Sequence, residues 1–136
     1  MICIKNNLIP FKGYKAINLF GFVFTRTELN EKEKNHENIH TRQMIECAIL
    51  GFYLIGALII FSNISYWWLL TSLLTFYVFY GLEYIIVRLF HKKQNDAYHD
   101  VSFEEEAFVN DGNLEYNKVR VPFNWIKYLV VKSNKK

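Results

Sequence analysis

A run of 36 consecutive residues, from position 47 to position 82, contains no Asp, Glu, Lys, Arg or His. A buried helix of a small soluble domain needs a much shorter apolar segment. The run is interrupted near Ser62-Asn63-Ile64-Ser65, a sequence typical of a tight turn. We therefore predict two apolar helices, over about residues 44–61 and 66–90, that form a hairpin across a membrane.

The lengths of the two helices suit a bilayer. At a rise of about 1.5 Å per residue they would measure roughly 27 Å and 37 Å, against a hydrocarbon core of about 30 Å. Tyr66, Trp67 and Trp68 at the turn match the aromatic belt of a membrane interface. The alternative is a soluble hairpin buried in a dimer, but such helices keep a polar face, which the sequence lacks. We expect the lipid bilayer to be a partner of this chain.

Basic residues flank the predicted hairpin on both sides, and its turn carries none. They precede it at Arg26, Lys32, Lys34 and Arg42, and they follow it at Arg88, Lys92 and Lys93. Because positively charged flanks remain in the cytoplasm, both termini are expected there. The net charge is only +3, and the basic residues do not cluster with aromatic residues that stack on bases. The sequence therefore gives no support to nucleic-acid binding.

The most specific chemistry lies in His36-Glu37-Asn38-Ile39-His40, an H-E-x-x-H sequence. Residues four apart lie one above the other on a helix, so both imidazoles can reach one metal ion. Glu37 is then placed to hold the water that the ion polarises. Asn30 and Glu33 form a capping box that predicts where this helix begins. We expect the helix to run unbroken into the first span, which would hold the histidines at the membrane surface.

A catalytic zinc site uses three protein ligands and leaves a further position for water. Beyond the second span, Ser102 and Glu105 form another capping box, which predicts a helix over residues 103–118 on the same side of the membrane as the histidines. Glu104 in this helix is the preferred third ligand, because Ala107 one turn later would let the two helices approach closely. The alternatives are Glu106 first, then His91 and His99 in the linker, and Glu83 in the second span.

Further polar residues are candidates for supporting the site. Gln43 lies three residues after His40 on the same side of the helix, and we expect it to hydrogen-bond the site or a neighbouring loop. Asp111 shares a face with Glu104 and could orient a zinc-bound histidine. Near the membrane boundary, Glu83 is expected to pair with Arg88 or Arg42, and Glu46 to face water or an arginine. Candidates for stabilising an oxyanion are Tyr98, His99 and Tyr116.

The remaining segments complete one domain over residues 1–136. Residues 8–29 are rich in aromatic and β-branched residues and contain a turn signal at Pro10, which predicts a short β-hairpin or sheet. Pro122 predicts the first turn of a last, amphipathic helix over residues 121–131. The expected fold is a mainly α membrane protein of minimal zincin type. Its order is a β region (1–29), the HExxH helix with the first span (30–62), the second span (66–90), and the third-ligand and C-terminal helices (102–131).

The chain resembles a known group of proteins in Asn35-His36-Glu37-Asn38-Ile39-His40-Thr41-Arg42-Gln43, the apolar hairpin, and Ser102-Phe103-Glu104-Glu105-Glu106-Ala107. These features look like a small gluzincin, and they resemble the membrane HExxHxxQ proteins of Bacteroidetes over nearly the whole chain. A remoter resemblance, to the HtpX-like and CAAX-processing membrane zinc proteases, covers only the two site helices and the topology. In those larger enzymes, two spans also separate the HExxH helix from an E-x-x-A-D helix.

The resemblance implies a site and a location. His36, His40 and Glu104 take the positions of the zinc ligands, Glu37 takes that of the catalytic base, and the location is the bacterial inner membrane. One departure is Phe108, which stands where the family has an aspartate, four residues after the ligand glutamate. The role of that aspartate would have to move to Asp111. The expected function is a zinc metallopeptidase that cleaves membrane-associated proteins or peptides at the cytoplasmic face. The rival is a catalytically inactive zincin-like scaffold or metal-binding interaction protein, since a chain this small leaves little room for a substrate cleft.

Overall fold

The structure is a computed structural model that describes residues 2–6, 9, 15–90 and 94–131. Three strands, β1 (Ile2–Lys5), β2 (Ala16–Leu19) and β3 (Phe22–Thr25), precede the helices. The helices are α1 (Glu31–Ser62), α2 (Thr75–Phe90), α3 (Gln94–His99), α4 (Ser102–Asn110), α5 (Tyr116–Val119) and α6 (Ile126–Val131), and a 3₁₀ segment (Tyr66–Leu74) leads into α2. The prediction of a mainly helical chain with a small N-terminal sheet is confirmed.

The sheet has β3 at its centre. β1 pairs with β3 in parallel, and β2 pairs with it antiparallel through a tight turn. The predicted hairpin is therefore β2–β3, while the pattern over residues 8–29 did not reveal β1. The turn signal at Pro10 lies outside the described residues. Asn18 on β2 joins the sheet to α1, because its Nδ2 donates to the Glu37 carbonyl at 2.8 Å and to Thr41 Oγ1 at 3.0 Å.

Helix α1 carries both the histidines and the first apolar segment on one continuous rod. Its predicted capping box is present: the Asn30 side chain accepts from the Glu33 N–H at 2.8 Å, and the Glu33 carboxylate accepts from the Asn30 N–H at 3.0 Å. The helix ends where Asn63 adopts a left-handed conformation, within the predicted turn. The unbroken helix predicted from His36 to the end of the first span is confirmed.

One continuous α-helix was expected over residues 66–90, but the second apolar segment is divided into a 3₁₀ helix and an α-helix. Its first nine residues, Tyr66–Leu74, wind as a 3₁₀ helix, in which residues three apart lie on the same side. That winding turns both Ser72 and Thr75 toward Gly51 of α1, where a Cβ atom would overlap the Thr75 hydroxyl. The tighter helix thus lets the two arms of the hairpin approach closely at a glycine.

Both arms of the hairpin are long and apolar enough to cross a membrane. The candidate spans are Glu31–Ser62 and Tyr66–Leu89, and only 22% and 17% of their most apolar windows are buried within the protein. A core helix of a soluble protein would be mostly buried. These helices instead expose large apolar side chains along their length, such as Leu58, Ile60 and Leu82.

The predicted capping box at the start of the glutamate-bearing helix is wrong. Val101 is the N-cap of α4, and Ser102 is its first residue. The Ser102 N–H and hydroxyl both donate to the Glu83 carboxylate, at 2.9 Å and 2.6 Å. Glu83, within the second candidate span, thus engages the hydroxyl that would otherwise cap the helix. This contact, in place of a reciprocal bond with Glu105, joins α4 to the hairpin.

Both predicted C-terminal helices are shorter than expected. The helix predicted over residues 103–118 ends at Asn110, and the one predicted over 121–131 begins only at Ile126. Phe123 has φ +60°, which no continuous α-helix accommodates, and its N–H donates to the Glu46 carboxylate at 2.9 Å. This bend carries Trp125 into a core beneath the site that also contains Met44, Cys47, Phe76, Val101 and Phe103.

Candidate metal centre

Three side chains from α1 and α4 converge on one point. His36 Nε2 and His40 Nε2 lie 3.1 Å apart, and Glu104 Oε2 lies 3.4 Å from the first and 3.5 Å from the second. The two imidazoles come from consecutive turns of α1, as their spacing requires. Within the described part of the chain, these three residues form the group that could hold a metal ion.

The separations fit a tetrahedral ion. With metal–ligand bonds of about 2.0–2.2 Å, neighbouring ligand atoms of a tetrahedron lie roughly 3.3–3.6 Å apart. Two of the observed edges, 3.4 and 3.5 Å, fall in that range, and the third, 3.1 Å between the two imidazole nitrogens, is slightly shorter. Glu104 Oε2 is buried and accepts no hydrogen bond from any described residue. A buried carboxylate oxygen and two imidazole nitrogens that face one point are a donor set that fits a metal cation.

Glu104 is held as an anion in a defined orientation. Its other oxygen, Oε1, accepts from the Tyr80 hydroxyl at 3.0 Å, so Tyr80 on α2 keeps Oε2 turned toward the histidines. Burial alone would raise the pKa of Glu104, but His40 and His36 outweigh it and hold the pKa well below its usual range. The carboxylate is therefore ionised, which is the form that binds a cation.

The ring of His40 is oriented by Gln43. The Gln43 Nε2 donates to the Phe103 carbonyl at 3.0 Å and to Glu106 Oε2 at 2.9 Å. Because both partners only accept, the amide oxygen must face His40, where it lies 2.8 Å from Nδ1. His40 therefore carries a proton on Nδ1, and its Nε2 is the nitrogen that faces the candidate centre. Gln43 is completely buried.

Glu106 belongs to a second buried cluster rather than to the converging group. Arg120 donates to it from Nε at 2.7 Å and from Nη2 at 3.0 Å, and it also hydrogen-bonds Glu46. The Tyr116 hydroxyl donates to Glu106 at 2.8 Å, and the Asn124 amide donates to Glu106 at 3.3 Å. Burial would raise the pKa of Glu106, but these donors, Arg120 foremost, lower it. Glu46 thus faces an arginine, one of the two environments predicted for it.

The environment of His36 is more open than that of His40. Its Nδ1 lies 3.9 Å from Asp111 Oδ2, longer than a hydrogen bond, and its ring packs against Phe108 with centroids 4.6 Å apart. Asn35 holds this end of α4 in place: its Nδ2 donates to the carbonyls of Asn110, Asp111 and Asn113 at 3.3, 3.0 and 3.0 Å. The structure therefore brings Asp111 near His36, as the sequence suggested, while Phe108 covers the ring.

The converging group opens into a cavity of about 1180 Å³. Glu37 lines this cavity together with both histidines and Glu104. Its walls are polar toward the start of α1, where Lys15, Lys32 and Glu33 lie, and aromatic toward α2, where Phe76, Tyr77, Tyr80 and Tyr84 lie. A pocket for a drug-sized ligand occupies about 300–1,000 Å³. The expectation that the chain leaves little room for a substrate cleft is wrong for this fold.

The other candidate residues lie apart from the converging group. Glu83 binds Ser102, and His99 lines the cavity with its ring 4.4 Å from that of Phe108. Tyr98 also lines the cavity, whereas the Tyr116 hydroxyl is directed to Glu106. His91 lies outside the described residues.

Sequence reasoning missed three supporting residues: Tyr80, Asn35 and Arg120. Tyr80 and Asn35 gave no local signal, because each acts through a partner at least 24 positions away. Arg120 could have been found by asking which cation compensates Glu46, an acidic residue at the start of an apolar helix.

The sequence matches no model of a protein family, no curated protein and no solved structure.

Proposed function

We propose that this protein is a membrane-embedded zinc metallopeptidase of gluzincin type that cleaves membrane-associated proteins or peptides at the cytoplasmic face. The observation that carries the proposal is the convergence of two imidazole nitrogens and a buried carboxylate oxygen within 3.5 Å of one another, beside Glu37 and at the wall of a large cavity. Two nitrogens and one oxygen are the protein ligands of many catalytic zinc sites.

In this proposal His36, His40 and Glu104 would hold zinc, which would supply Lewis-acid polarisation of a water molecule and of the substrate carbonyl. Glu37 accepts the proton of the attacking water and delivers it to the leaving amine. Tyr80 keeps the Glu104 carboxylate in place, and Gln43 keeps the lone pair of His40 directed inward. Each of these roles belongs to a residue that lies at the cavity or contacts a residue that does.

The membrane location is supported by the two exposed apolar arms of the hairpin and by the charges at their ends. Arg42 and Arg88 lie at the ends of the apolar segments nearest the site, and the turn at residues 62–65 carries no charge. By the positive-inside rule, this charge pattern supports our proposal that the site and both termini face the cytoplasm. The proposed location is the inner membrane of a bacterium. Substrates would reach the cavity from the membrane surface.

The substitution Glu37→Gln tests the mechanism. It removes the proton acceptor and leaves the three ligands unchanged, so the protein should bind one zinc ion per chain while peptide cleavage falls by about 10²- to 10⁴-fold. Zinc content measured by mass spectrometry and cleavage of a quenched fluorescent peptide library, in detergent, give the two readings. Glu115→Gln, at an exposed glutamate, is the matched control. Cleavage at the wild-type rate by zinc-loaded Glu37→Gln would contradict the mechanism, and wild-type protein free of zinc would contradict the metal centre.

A further inference from the structure

We propose that the turn between β2 and β3, residues 19–22, is inserted into the interfacial layer of the bilayer, with Phe20 and Phe22 as lipid anchors. The proposal rests on the membrane hairpin of the proposed function and adds a third contact with the lipid. It assigns a partner to a part of the protein that takes no part in metal binding.

The composition of the turn is unusual for one in water. No charged residue occurs from Ala16 to Thr25, and the side chains of Phe20 and Phe22 are 51% and 44% exposed. Phe20 has φ +55° and is followed by Gly21 at φ +85°, positions that two-residue hairpin turns usually fill with Asn-Gly. A left-handed phenylalanine costs on the order of 1–2 kcal/mol. An exposed aromatic side chain in that conformation points to an apolar environment that offsets the strain.

The β2–β3 turn contacts the helical hairpin directly. The Phe20 N–H donates to the Tyr77 hydroxyl at 3.0 Å, and the two rings meet edge to face with centroids 5.3 Å apart. Tyr77 belongs to the second candidate span, Tyr66–Leu89. The tip of the sheet therefore lies beside an apolar arm of the hairpin.

The turn also continues an apolar strip on α1. Gly21 faces Thr41, whose Cγ2 would be 3.5 Å from a Cβ atom on the glycine. Ile45 and Ile49 follow Thr41 at intervals of four residues, so the three share one face of α1, and each isoleucine is 51% exposed. Thr41 precedes the predicted start of the first span by three residues, or about 4.5 Å. The turn is thus level with the boundary between headgroups and acyl chains.

Lipid fits this surface because the two exposed phenylalanines lie at the end of an exposed apolar strip on a candidate membrane span. Arg42, exposed next to Thr41, is placed for the phosphate of a headgroup. Anchoring would also fix one wall of the cavity, since β2 lines it and Asn18 bonds the carbonyl of Glu37. The strand beside the candidate metal centre would then be held at the membrane surface.

Site-directed spin labelling of the full chain tests this placement. In a Cys3→Ser background, in which Cys47 is completely buried, single cysteines would be introduced by Phe22→Cys, Leu54→Cys and Glu115→Cys. The labelled proteins are placed in nanodiscs of phosphatidylethanolamine and phosphatidylglycerol. Power saturation then compares access by oxygen, which partitions into lipid, with access by a nickel chelate, which stays in water. Position 54 reports the hairpin, and position 115 reports the aqueous surface.

We expect the label at position 22 to lose nickel access relative to position 115 and to gain oxygen access, with a depth between those of positions 115 and 54. A label introduced by Phe20→Cys should report the same depth, and it decides the outcome if Phe22→Cys does not fold. Nickel access at both turn positions equal to that at position 115, with position 54 still in lipid, would overturn the anchor and leave the hairpin intact. Turn labels shielded from both reagents would show a protein partner instead and would also overturn it. Nickel access at position 54 would overturn the membrane hairpin and the anchor together.

Discussion

Glu104 and Glu106 lie two residues apart on α4, both are buried, and their surroundings are opposite in kind. Glu106 receives two hydrogen bonds from Arg120 and others from Gln43, Tyr116 and Asn124. Glu104 receives one from Tyr80 on Oε1, while its Oε2 faces two imidazole nitrogens and accepts none from the described residues. One carboxylate has its cation within the chain, and the other faces groups that bind a cation.

The difference separates a structural cluster from a candidate metal site. A buried anion is stable only when a positive charge lies close to it. Arg120 supplies that charge to Glu106, and the pKa of Arg120 is raised because hydrogen bonds to Glu106 and Glu46 outweigh the opposing effect of burial. Beside Glu104 lie two imidazoles, which are neutral when they act as ligands, so a metal ion bound there would supply the positive charge. Substitutions at the two clusters should therefore have different consequences.

The largest effect is expected from Glu104→Gln. The amide removes the negative charge of the ligand set, so the protein should no longer retain zinc at micromolar concentration. This loss of zinc affinity should exceed the about 100-fold loss typical of substituting a residue that hydrogen-bonds a ligand. The metal-free variant should be less stable than the metal-free wild type at neutral pH, because His40 and His36 lower the pKa of Glu104 and its ionised carboxylate therefore stabilises the folded state. Zinc content and thermal unfolding with a chelator measure the two effects. One zinc ion per chain in Glu104→Gln would contradict the assignment of Glu104 as a metal ligand.

Arg120→Met should act on stability. It leaves Glu46 and Glu106 buried without their cation, and breaking a buried ion pair in this way costs about 3–5 kcal/mol of unfolding free energy. Lys118→Met, at an exposed lysine two residues earlier, is the control and should change stability little. Unfolding in denaturant, monitored by circular dichroism in detergent, gives the comparison. Equal stability of the two variants would show that the Arg120 cluster does not support the fold.

The sequence predicted well those features that depend on neighbours along the chain. The capping box of Asn30 and Glu33 and the pairing of His36 with His40 follow from helical spacing. Glu104 was preferred among several carboxylates because the hairpin returns the chain to the same side and Ala107 permits close approach. Each of these inferences needs only the local period of a helix and the length of a span.

The sequence failed where a distant polar group outweighed a local signal. Ser102 reads as an N-cap, yet the Glu83 carboxylate, 19 residues earlier, binds its N–H and hydroxyl. The helix predicted to reach residue 118 ends at Asn110, where the amide of Asn35 on α1 donates to the carbonyls of Asn110 and Asp111. The sequence allows Glu106 as a ligand, but in the structure Arg120, 14 positions later, donates a hydrogen bond to its carboxylate. Such pairings are set by the fold and leave no periodic trace.

The smallest expected effect, from Gln43→Met, tests whether the two clusters are connected. Gln43 joins them, since its oxygen faces His40 and its nitrogen donates to Glu106. Methionine has a similar volume but cannot accept the Nδ1 proton, so His40 is free to adopt the other tautomer. Zinc affinity should fall by about 10- to 100-fold, or about 1.4–2.7 kcal/mol.

Asn38→Met, which makes the same chemical change on α1 away from the cavity, should leave zinc affinity unchanged. Competition with a chromophoric chelator gives the affinities, and the visible spectrum of the cobalt-substituted protein reports the geometry of the ligands. If Gln43→Met binds zinc as tightly as Asn38→Met with the same cobalt spectrum, the Arg120 cluster serves the fold alone. If affinity falls and the spectrum changes, the two glutamates of α4 contribute to one metal centre: Glu104 as a ligand, and Glu106 by fixing the amide that orients His40.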